Sequence, residues 1–306
     1  MLKLNSKILF STTFLLFVFT NLYSQQKQIN AIKEKLKNKN LKDSTLIKLY
    51  GDLGWYYGNV NIDSAFYYTK KGLNLSLNSN HLKGIGQSYN DLGIIHYRTS
   101  KYDSARFYYR KSLKIRTKIN DSVGIAGLYS KIGISFQQNS ILDSALYYNN
   151  KSLRFYESLS MKRHVIINQN NIANIYQNLN QFDKALKMHL SILESRVKGK
   201  IPAELAESYV NIGNTYQKLN DFKKSKLYYN KAIVISEGVF NQFSTEELSS
   251  FQLVKLKLHS TKTSTLAKYI MTTMTTDKAA IENAAIAGIL HDIGILILIR
   301  HNFIKY

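Results

Sequence analysis

Small and apolar side chains recur along this chain every 39 or 40 residues. A small residue recurs at Gly54, Gly93, Gly133, Ala173 and Gly213. A second small series runs through Ala65, Ala105, Ala145, Ala185 and Ser225, and a large aliphatic series runs through Leu73, Leu113, Leu153, Leu193 and Ile233. A fixed period of about 20–50 residues is typical of stacked arrays of supersecondary units. The pattern predicts five repeats, at about 46–80, 83–120, 123–160, 163–200 and 203–240.

Within each repeat the apolar spacing predicts two helices. In the second repeat one face of the first helix carries Ile85, Tyr89, Leu92 and His96 at helical spacing. A break at Thr99-Ser100-Lys101 separates it from a second helix, for which Asp103-Ser104 is the predicted N-cap. The same cap signal recurs at Asp63-Ser64, Asp143-Ser144 and Asp183. Since the chain has one proline, Pro202, its helices can run without internal breaks, which favours an all-α fold.

The composition narrows the possible chemistry. Lysine and arginine outnumber acidic residues by 42 to 20, giving a net charge of +22. Because the lysines are spread through every repeat, we interpret them as solvated faces and expect no specific nucleic-acid partner. The chain has no cysteine, which excludes disulfides, thiolate catalysis and thiolate zinc sites.

The N-terminus has the features of an export signal. Lys3 and Lys7 precede an apolar run at 8–19, and Ser24 offers a small residue before a polar start. The run is shorter than the roughly 20 residues that a membrane helix needs. We predict a signal peptide over 1–24 and export to the periplasm or medium, with an uncleaved anchor as the lesser option. If the signal is not functional, the protein is cytoplasmic. No transmembrane span is predicted after the signal peptide. Residues 25–45 are predicted to form a lead-in helix that caps the array.

The repeats resemble the tetratricopeptide repeat (TPR) family over about 46–240. That family places an aromatic residue three positions after the small residue of its first helix, as in Gly54/Tyr57, Gly133/Phe136, Ala173/Tyr176 and Gly213/Tyr216, with His96 in the aromatic place after Gly93. The family period is usually 34 residues, so these helices are each about a turn longer, and the proline that commonly closes a repeat is absent. The resemblance implies an all-α solenoid of helical hairpins. It also implies that the aromatic residues, His96 included, belong to the core.

The family resemblance also implies a binding groove. In TPR proteins the first helices form the concave wall. The matching positions are Asn90, Tyr97, Ser130, Gln137, Asn170, Asn174, Gln177, Asn214 and Gln217. These side chains are mostly amides, which donate and accept hydrogen bonds and can pair with the backbone of an extended peptide. The alternative is that they are solvated polar positions in an asparagine-rich protein.

The segment 241–306 departs from the repeat, and we predict short helices at 246–259, 262–274 and 278–290. The adjacent His291 and Asp292 follow an apolar stretch and resemble the HD superfamily of metal-dependent phosphohydrolases, with His259 in the place of that family's first histidine. The family needs a further Asp on a later helix, and Ile295 replaces a common Lys. The segment therefore resembles the first part of the non-catalytic HDOD relatives, and this resemblance implies that His259, His291 and Asp292 are a remnant metal site. The alternative is a chance match or a degenerate tail. We expect no cofactor and no working hydrolase.

Two functions fit this sequence. The first is an exported, non-catalytic scaffold that binds a protein or peptide in the groove and serves envelope signalling. The alternative is a cytoplasmic signalling protein that combines TPR repeats with an HDOD-like module. The two differ in compartment, because HD and HDOD domains generally serve cytoplasmic signalling.

Overall fold

The computed structural model describes residues 25–199 and 201–242, and every regular element among them is an α-helix. The helices are 25–36 (α1), Asp43–Tyr57 (α2), Ile62–Asn78 (α3), Leu82–Arg98 (α4), Tyr102–Lys118 (α5), Ser122–Gln138 (α6), Leu142–Ser158 (α7), Lys162–Asn178 (α8), Phe182–Gly199 (α9), Pro202–Lys218 (α10) and Phe222–Gln242 (α11). The all-α prediction is confirmed for these residues. The signal peptide, the predicted helices beyond 242 and the remnant metal site lie outside the described residues.

The helices form two compact units, one containing α1 to α8 and the other α9 to α11. In the first, α2 pairs with α3, α4 with α5 and α6 with α7, and each second helix also packs on the next first helix. In the second, α10 pairs with α11 and α9 packs on α10. Helices α4 to α8 are each 17 residues long and begin 20 residues apart. This uniform length produces the 40-residue period.

The lead-in helix α1 covers the outer side of the first hairpin. Ile29 and Ile32 are buried in one cluster with Leu49 and Leu53 of α2, and Leu36 packs against them. Inside the array, the apolar face of each hairpin is buried by the next hairpin. The first hairpin has no neighbour on its outer side, so a covering helix is required to bury that face.

Seven of the helix junctions in the described residues share one backbone conformation. A residue with positive φ follows the helix end at Asn80, Ser100, Asn120, Ser140, Ser160, Asn180 and Asn220, with φ between 51° and 59°. At Asn80 the preceding helix closes with two further bonds, from the Asn80 N–H to the Leu77 carbonyl and from the His81 N–H to the Ser76 carbonyl. This is the Schellman arrangement, which usually carries glycine and tolerates asparagine. The break predicted at Thr99-Ser100-Lys101 is one of these junctions.

The predicted N-caps of the second helices are wrong. Helix α5 begins at Tyr102, so Asp103 is the second helical residue, and the cap position, Lys101, makes no side-chain cap bond. Asp63 and Asp143 likewise lie inside the first turn, as does Asp183. A carboxylate in the first turn still stabilises the helix, because it faces the positive end of the helix dipole. The capping side chains in the described chain are those of Asn61, His81, Asp121 and Asp221, which accept from the backbone three residues on.

The small residues of the first helices permit close approach of the second helices. A Cβ on Gly93 would overlap the ring of Tyr109, and a Cβ on Gly133 would overlap the amide of Asn149. In the second unit a Cβ on Gly213 would lie 2.7 Å from the ring of Tyr229. Each hairpin therefore buries a side chain of the second helix in space that the first helix leaves open.

Stacked aromatic rings fill the other side of the hairpin in four of the five repeats. His96 stacks on Tyr108 at 5.1 Å between ring centroids, and Phe136 stacks on Tyr148 at 5.5 Å. The equivalent pairs in the first and fifth repeats are Tyr57 with Tyr68 and Tyr216 with Tyr228, both at 5.5 Å. Burial, with nearby lysines, holds the pKa of His96 below its usual value. His96 is therefore a packing residue, as the repeat pattern predicts.

Candidate functional site

The first helices of the unit 25–179 carry side chains that are at least partly exposed at equivalent places. Trp55, Ile94, Ile134 and Asn174 occupy the same place in α2, α4, α6 and α8, at spacings of 39 or 40 residues. We call the surface around these four positions the first-helix face. It begins with apolar side chains in α2 to α6 and becomes polar in α8.

The structure places seven of the nine predicted groove residues in this unit. Six of these seven residues are partly exposed, namely Tyr97, Ser130, Gln137, Asn170, Asn174 and Gln177. Asn90 is only 4% exposed, and its amide is fully engaged by neighbouring side chains. Tyr97 packs its ring edge-to-face on Tyr102, with 5.4 Å between ring centroids. The partly exposed amides of α6 and α8 are therefore the most accessible of the predicted set.

The other two predicted residues, Asn214 and Gln217, lie in the second unit. The hydroxyl of Tyr229 donates to Asn214 Oδ1 at 2.6 Å and to Gln217 Oε1 at 3.2 Å. Both amides thus accept a bond from a buried core tyrosine, which gives them a part in holding α10 against α11.

A network of charged and amide side chains links α4 to α5 and α6. Asp91 Oδ1 accepts from Gln87 Nε2 at 2.8 Å and from Asn90 Nδ2 at 2.9 Å. Lys131 Nζ donates to Asn90 Oδ1 at 2.6 Å, and Arg116 Nη2 donates to Gln87 Oε1 at 2.7 Å. The predicted groove residue Asn90 therefore belongs to a charged network.

Burial dominates the ionisation of this network. It raises the pKa of Asp91 to about 6, against the bonds from Asn90 and Gln87 and the charge of Lys131, which lower it. Burial also lowers the pKa of Lys131, and the nearby Asp91 carboxylate opposes that shift. Because a raised carboxyl pKa favours the neutral form, the face gains positive charge as the pH falls through about 6.

A shallow recess that is open to solvent lies between α2 and α4. Its lining residues are Gly54, Trp55, Asp91, Ile94, Ile95 and Arg98. Trp55 is the single tryptophan of the chain and is 54% exposed. The Arg98 guanidinium lies over its ring, 4.9 Å from the ring centroid.

Sequence reasoning missed Trp55, Asp91, Arg98 and Lys131. The 40-residue register would have found Trp55, because Trp55 shares the place of the predicted Asn174, whereas Asp91 and Lys131 share a place at which no residue was predicted.

Within residues 25–199 and 201–242, no group of three or more His, Cys, Asp or Glu side chains is placed to hold a metal ion. None of the helices described is both long and apolar enough to cross a membrane.

Family models for tetratricopeptide repeats match residues 86–122 and 164–237. The repeat region is a tetratricopeptide array. TPR arrays are generally protein-binding scaffolds, and the long hairpins seen here are a 40-residue form of the unit.

A family model for the HDOD domain matches residues 229–303. The match begins inside α11, earlier than residue 241, where the sequence departs from the repeat, and most of it lies outside the described residues. No curated protein matches this sequence.

Solved structures share the fold at low identity. BtubC (BKLC) from P. vanneervenii is 19% identical, with 73% of this chain and 92% of that chain covered and a TM-score of 0.62. A signal transduction ATPase with numerous domains and a tetratricopeptide repeat sensor, from Pyrococcus horikoshii, is 15% identical, with 92% and 41% covered and a TM-score of 0.64. A Rap protein complexed with Competence and Sporulation Factor is 15% identical, with 89% and 78% covered and a TM-score of 0.54.

Proposed function

We propose that this protein is a non-catalytic scaffold that binds a peptide, or an extended segment of a protein, on the first-helix face. The carrying observation is the row of partly exposed amides and apolar side chains at equivalent places on successive first helices. An extended peptide presents alternating side chains and backbone amides. Apolar places such as Ile134 can take the side chains, while Gln137 and Asn174 can bond the backbone.

Two structural relatives agree with this proposal. The Rap protein named above was crystallised with Competence and Sporulation Factor, and the repeats of the Pyrococcus protein are described as a sensor. Both are similar to this chain in fold, and they support a repeat surface that recognises another molecule. The chemistry proposed here rests on the residues of this chain.

Replacing Asn174 by alanine should weaken peptide binding roughly tenfold, because one amide that bonds the peptide backbone is lost. The test begins with selection of peptides from a random display library on the full chain. The affinity of the selected peptides is then measured for the parent and for Asn174→Ala.

The matched control is Asn74→Ala, which removes an exposed amide from α3, a second helix. It should leave the affinity unchanged. Equal affinities of the parent and Asn174→Ala would remove the first-helix face from consideration, and failure to select any peptide would contradict peptide binding itself.

We further propose that the scaffold is exported and acts in envelope signalling. The basic start, short apolar run and small residue within 1–24 support this proposal. The second candidate is a cytoplasmic signalling protein with an HDOD-like module, and the HDOD match at 229–303 favours it.

The mature N-terminus distinguishes these two candidates. The full chain with a C-terminal tag should be recovered outside the cytoplasm with Gln25 as its first residue if the scaffold is exported. N-terminal sequencing after cell fractionation measures this. A chain that keeps Met1 and stays in the cytoplasm would refute export and favour the HDOD-containing candidate.

A further inference from the structure

The basic residues of the first unit are divided unequally between the two helices of each hairpin. Helices α3, α5 and α7 carry ten lysines and arginines against four acidic residues, whereas α2, α4 and α6 carry four against three. The second helices therefore have a net charge of +6 and the first helices one of +1. A charge needed only for solubility has no reason to follow one helix of each pair.

An exposed ring lies at the same place on each of these second helices. Tyr67, Phe107 and Tyr147 are 40 residues apart, and each is more than half exposed. A lysine four residues further on lies over each ring, with its Nζ 4.6 to 4.8 Å from the ring centroid. These lysines are Lys71, Lys111 and Lys151. We call the three rings and three lysines the ring–lysine row.

Helix α5 adds a basic face to this row. Four exposed cations lie on the same side of the helix as Phe107, at three, four, seven and eleven residues after it. They are Arg110, Lys111, Lys114 and Lys118. Among the described residues, no acidic side chain forms an ion pair with Arg110, Lys114 or Lys118. Because like charges four residues apart weaken a helix, this face lowers the stability of the folded chain.

A solvated basic face does not explain the rings. Phe107 has no polar group, yet it is 52% exposed in the middle of the cations of α5. Aromatic rings beside lysine and arginine are typical of protein surfaces that lie at the interface of a lipid bilayer. There the rings enter the headgroup layer and the cations are attracted to anionic lipids.

The geometry of the rings favours a bilayer over a single-stranded nucleic acid. Bases bind proteins by stacking on an open ring face, and in this row a lysine lies over each ring. Rings of neighbouring repeats are also about 10 Å or more apart, because a first helix lies between successive second helices. Successive bases of one strand are only about 3.4 Å apart. Insertion between lipid headgroups requires only the exposed edge of each ring.

We propose that the ring–lysine row and the basic face of α5 dock this protein on a bilayer that contains anionic lipids. The three rings enter the headgroup layer, and Arg110, Lys114 and Lys118 pair with lipid phosphates. This surface lies on the second helices. It is therefore separate from the first-helix face and does not depend on peptide binding there.

Co-sedimentation of the full chain with lipid vesicles tests this proposal. The vesicles contain phosphatidylcholine alone, or phosphatidylcholine and phosphatidylglycerol in equal parts. The chain should partition at least about tenfold more strongly into the mixed vesicles, because each cation near an anionic surface strengthens binding. High salt should remove the difference. Vesicles of phosphatidylcholine alone measure the contribution of the apolar run at 8–19, which is the same in every variant.

Two variants and a control locate the docking surface. The cation variant combines Arg110→Gln, Lys114→Gln and Lys118→Gln, and it should partition into the mixed vesicles at least about tenfold more weakly. The ring variant replaces all three rings by glutamine and should show a similar loss at unchanged net charge. The control replaces three exposed lysines of first helices by glutamine, namely Lys48, Lys83 and Lys162. It removes as much charge as the cation variant and should partition like the parent, and circular dichroism establishes that every variant is as helical as the parent.

The outcomes separate docking from other uses of the charge. Equal losses in the cation variant and the control would show that net charge alone drives binding, which contradicts the proposal. A ring variant that partitions like the parent would also contradict it. If the cation variant then lost binding to an oligothymidylate as well, the face would belong to a nucleic-acid site. Partitioning that needs both the rings and the cations of α5, and that is unchanged in Asn174→Ala, supports the proposal.

Discussion

Gly93→Ala should lower the free energy of unfolding by about 2 kcal/mol, one of the two largest effects expected for this protein. The new Cβ would overlap the ring of Tyr109, which is 2% exposed and cannot move without displacing α5. Overpacking of a core costs roughly 1–3 kcal/mol, and the gain in helix propensity from alanine offsets part of it. Urea unfolding followed by circular dichroism measures the change.

Gly51→Ala is the matched control for that experiment. It makes the same replacement inside a helix, but its Cβ meets nothing within 4 Å. It should stabilise the protein by about 0.5–1 kcal/mol, because alanine restricts the unfolded chain and favours the helix. If Gly93→Ala and Gly51→Ala changed the free energy of unfolding in the same direction, helix propensity, and not the close approach of α4 and α5, would determine the result.

Acidification should destabilise the second unit through His189, which is 1% exposed in α9. Burial, with a smaller contribution from Arg196, lowers its pKa to about 4. The unfolded chain binds this proton near pH 6.5, whereas the folded chain binds it only near pH 4. The stabilising contribution is therefore complete above pH 6.5 and is lost as the pH falls towards 4. Its size is about 3 kcal/mol by linkage.

The measurement is the slope of unfolding free energy against pH between 4 and 7 for the parent and for His189→Asn. Asparagine is chosen because Asn149 occupies the equivalent place in the third repeat and does not titrate in this range. The variant should have a shallower slope, whatever its stability at pH 7. Parallel slopes would show that other groups cause the acid sensitivity.

Much of the fold follows from the sequence because the packing contacts between helices recur with the same 40-residue period as the sequence. Gly93 and Gly133 recur at 40 residues since each must admit a side chain of the second helix, and that requirement is visible in one sequence. The caps were misjudged because Asp103 suits both a cap and the first turn, and the choice depends on a shift of two residues. Local sequence does not fix a boundary so finely.

The candidate site was predicted less well, because accessibility depends on partners that are distant in sequence. Asn90 is buried by an interaction with Lys131, 41 residues away, and Asn214 is engaged by Tyr229. Neither contact is visible from residue type at one position. Trp55 was overlooked for a different reason, since an aromatic residue in an array with an aromatic core is expected to be buried.

The uniform junctions have a consequence for how such an array changes length over generations. Removal of the 40 residues from His81 to Asn120 would join Asn80 to Asp121, and both cut points have the same backbone conformation. Asp121 would then cap the following helix through the Gly124 N–H, just as His81 caps α4 through Gly84. Unequal recombination between the gene segments of two repeats would therefore delete or duplicate a complete hairpin without a new joint. Selection can therefore change the number of helices that contact a ligand without changing the fold of each hairpin.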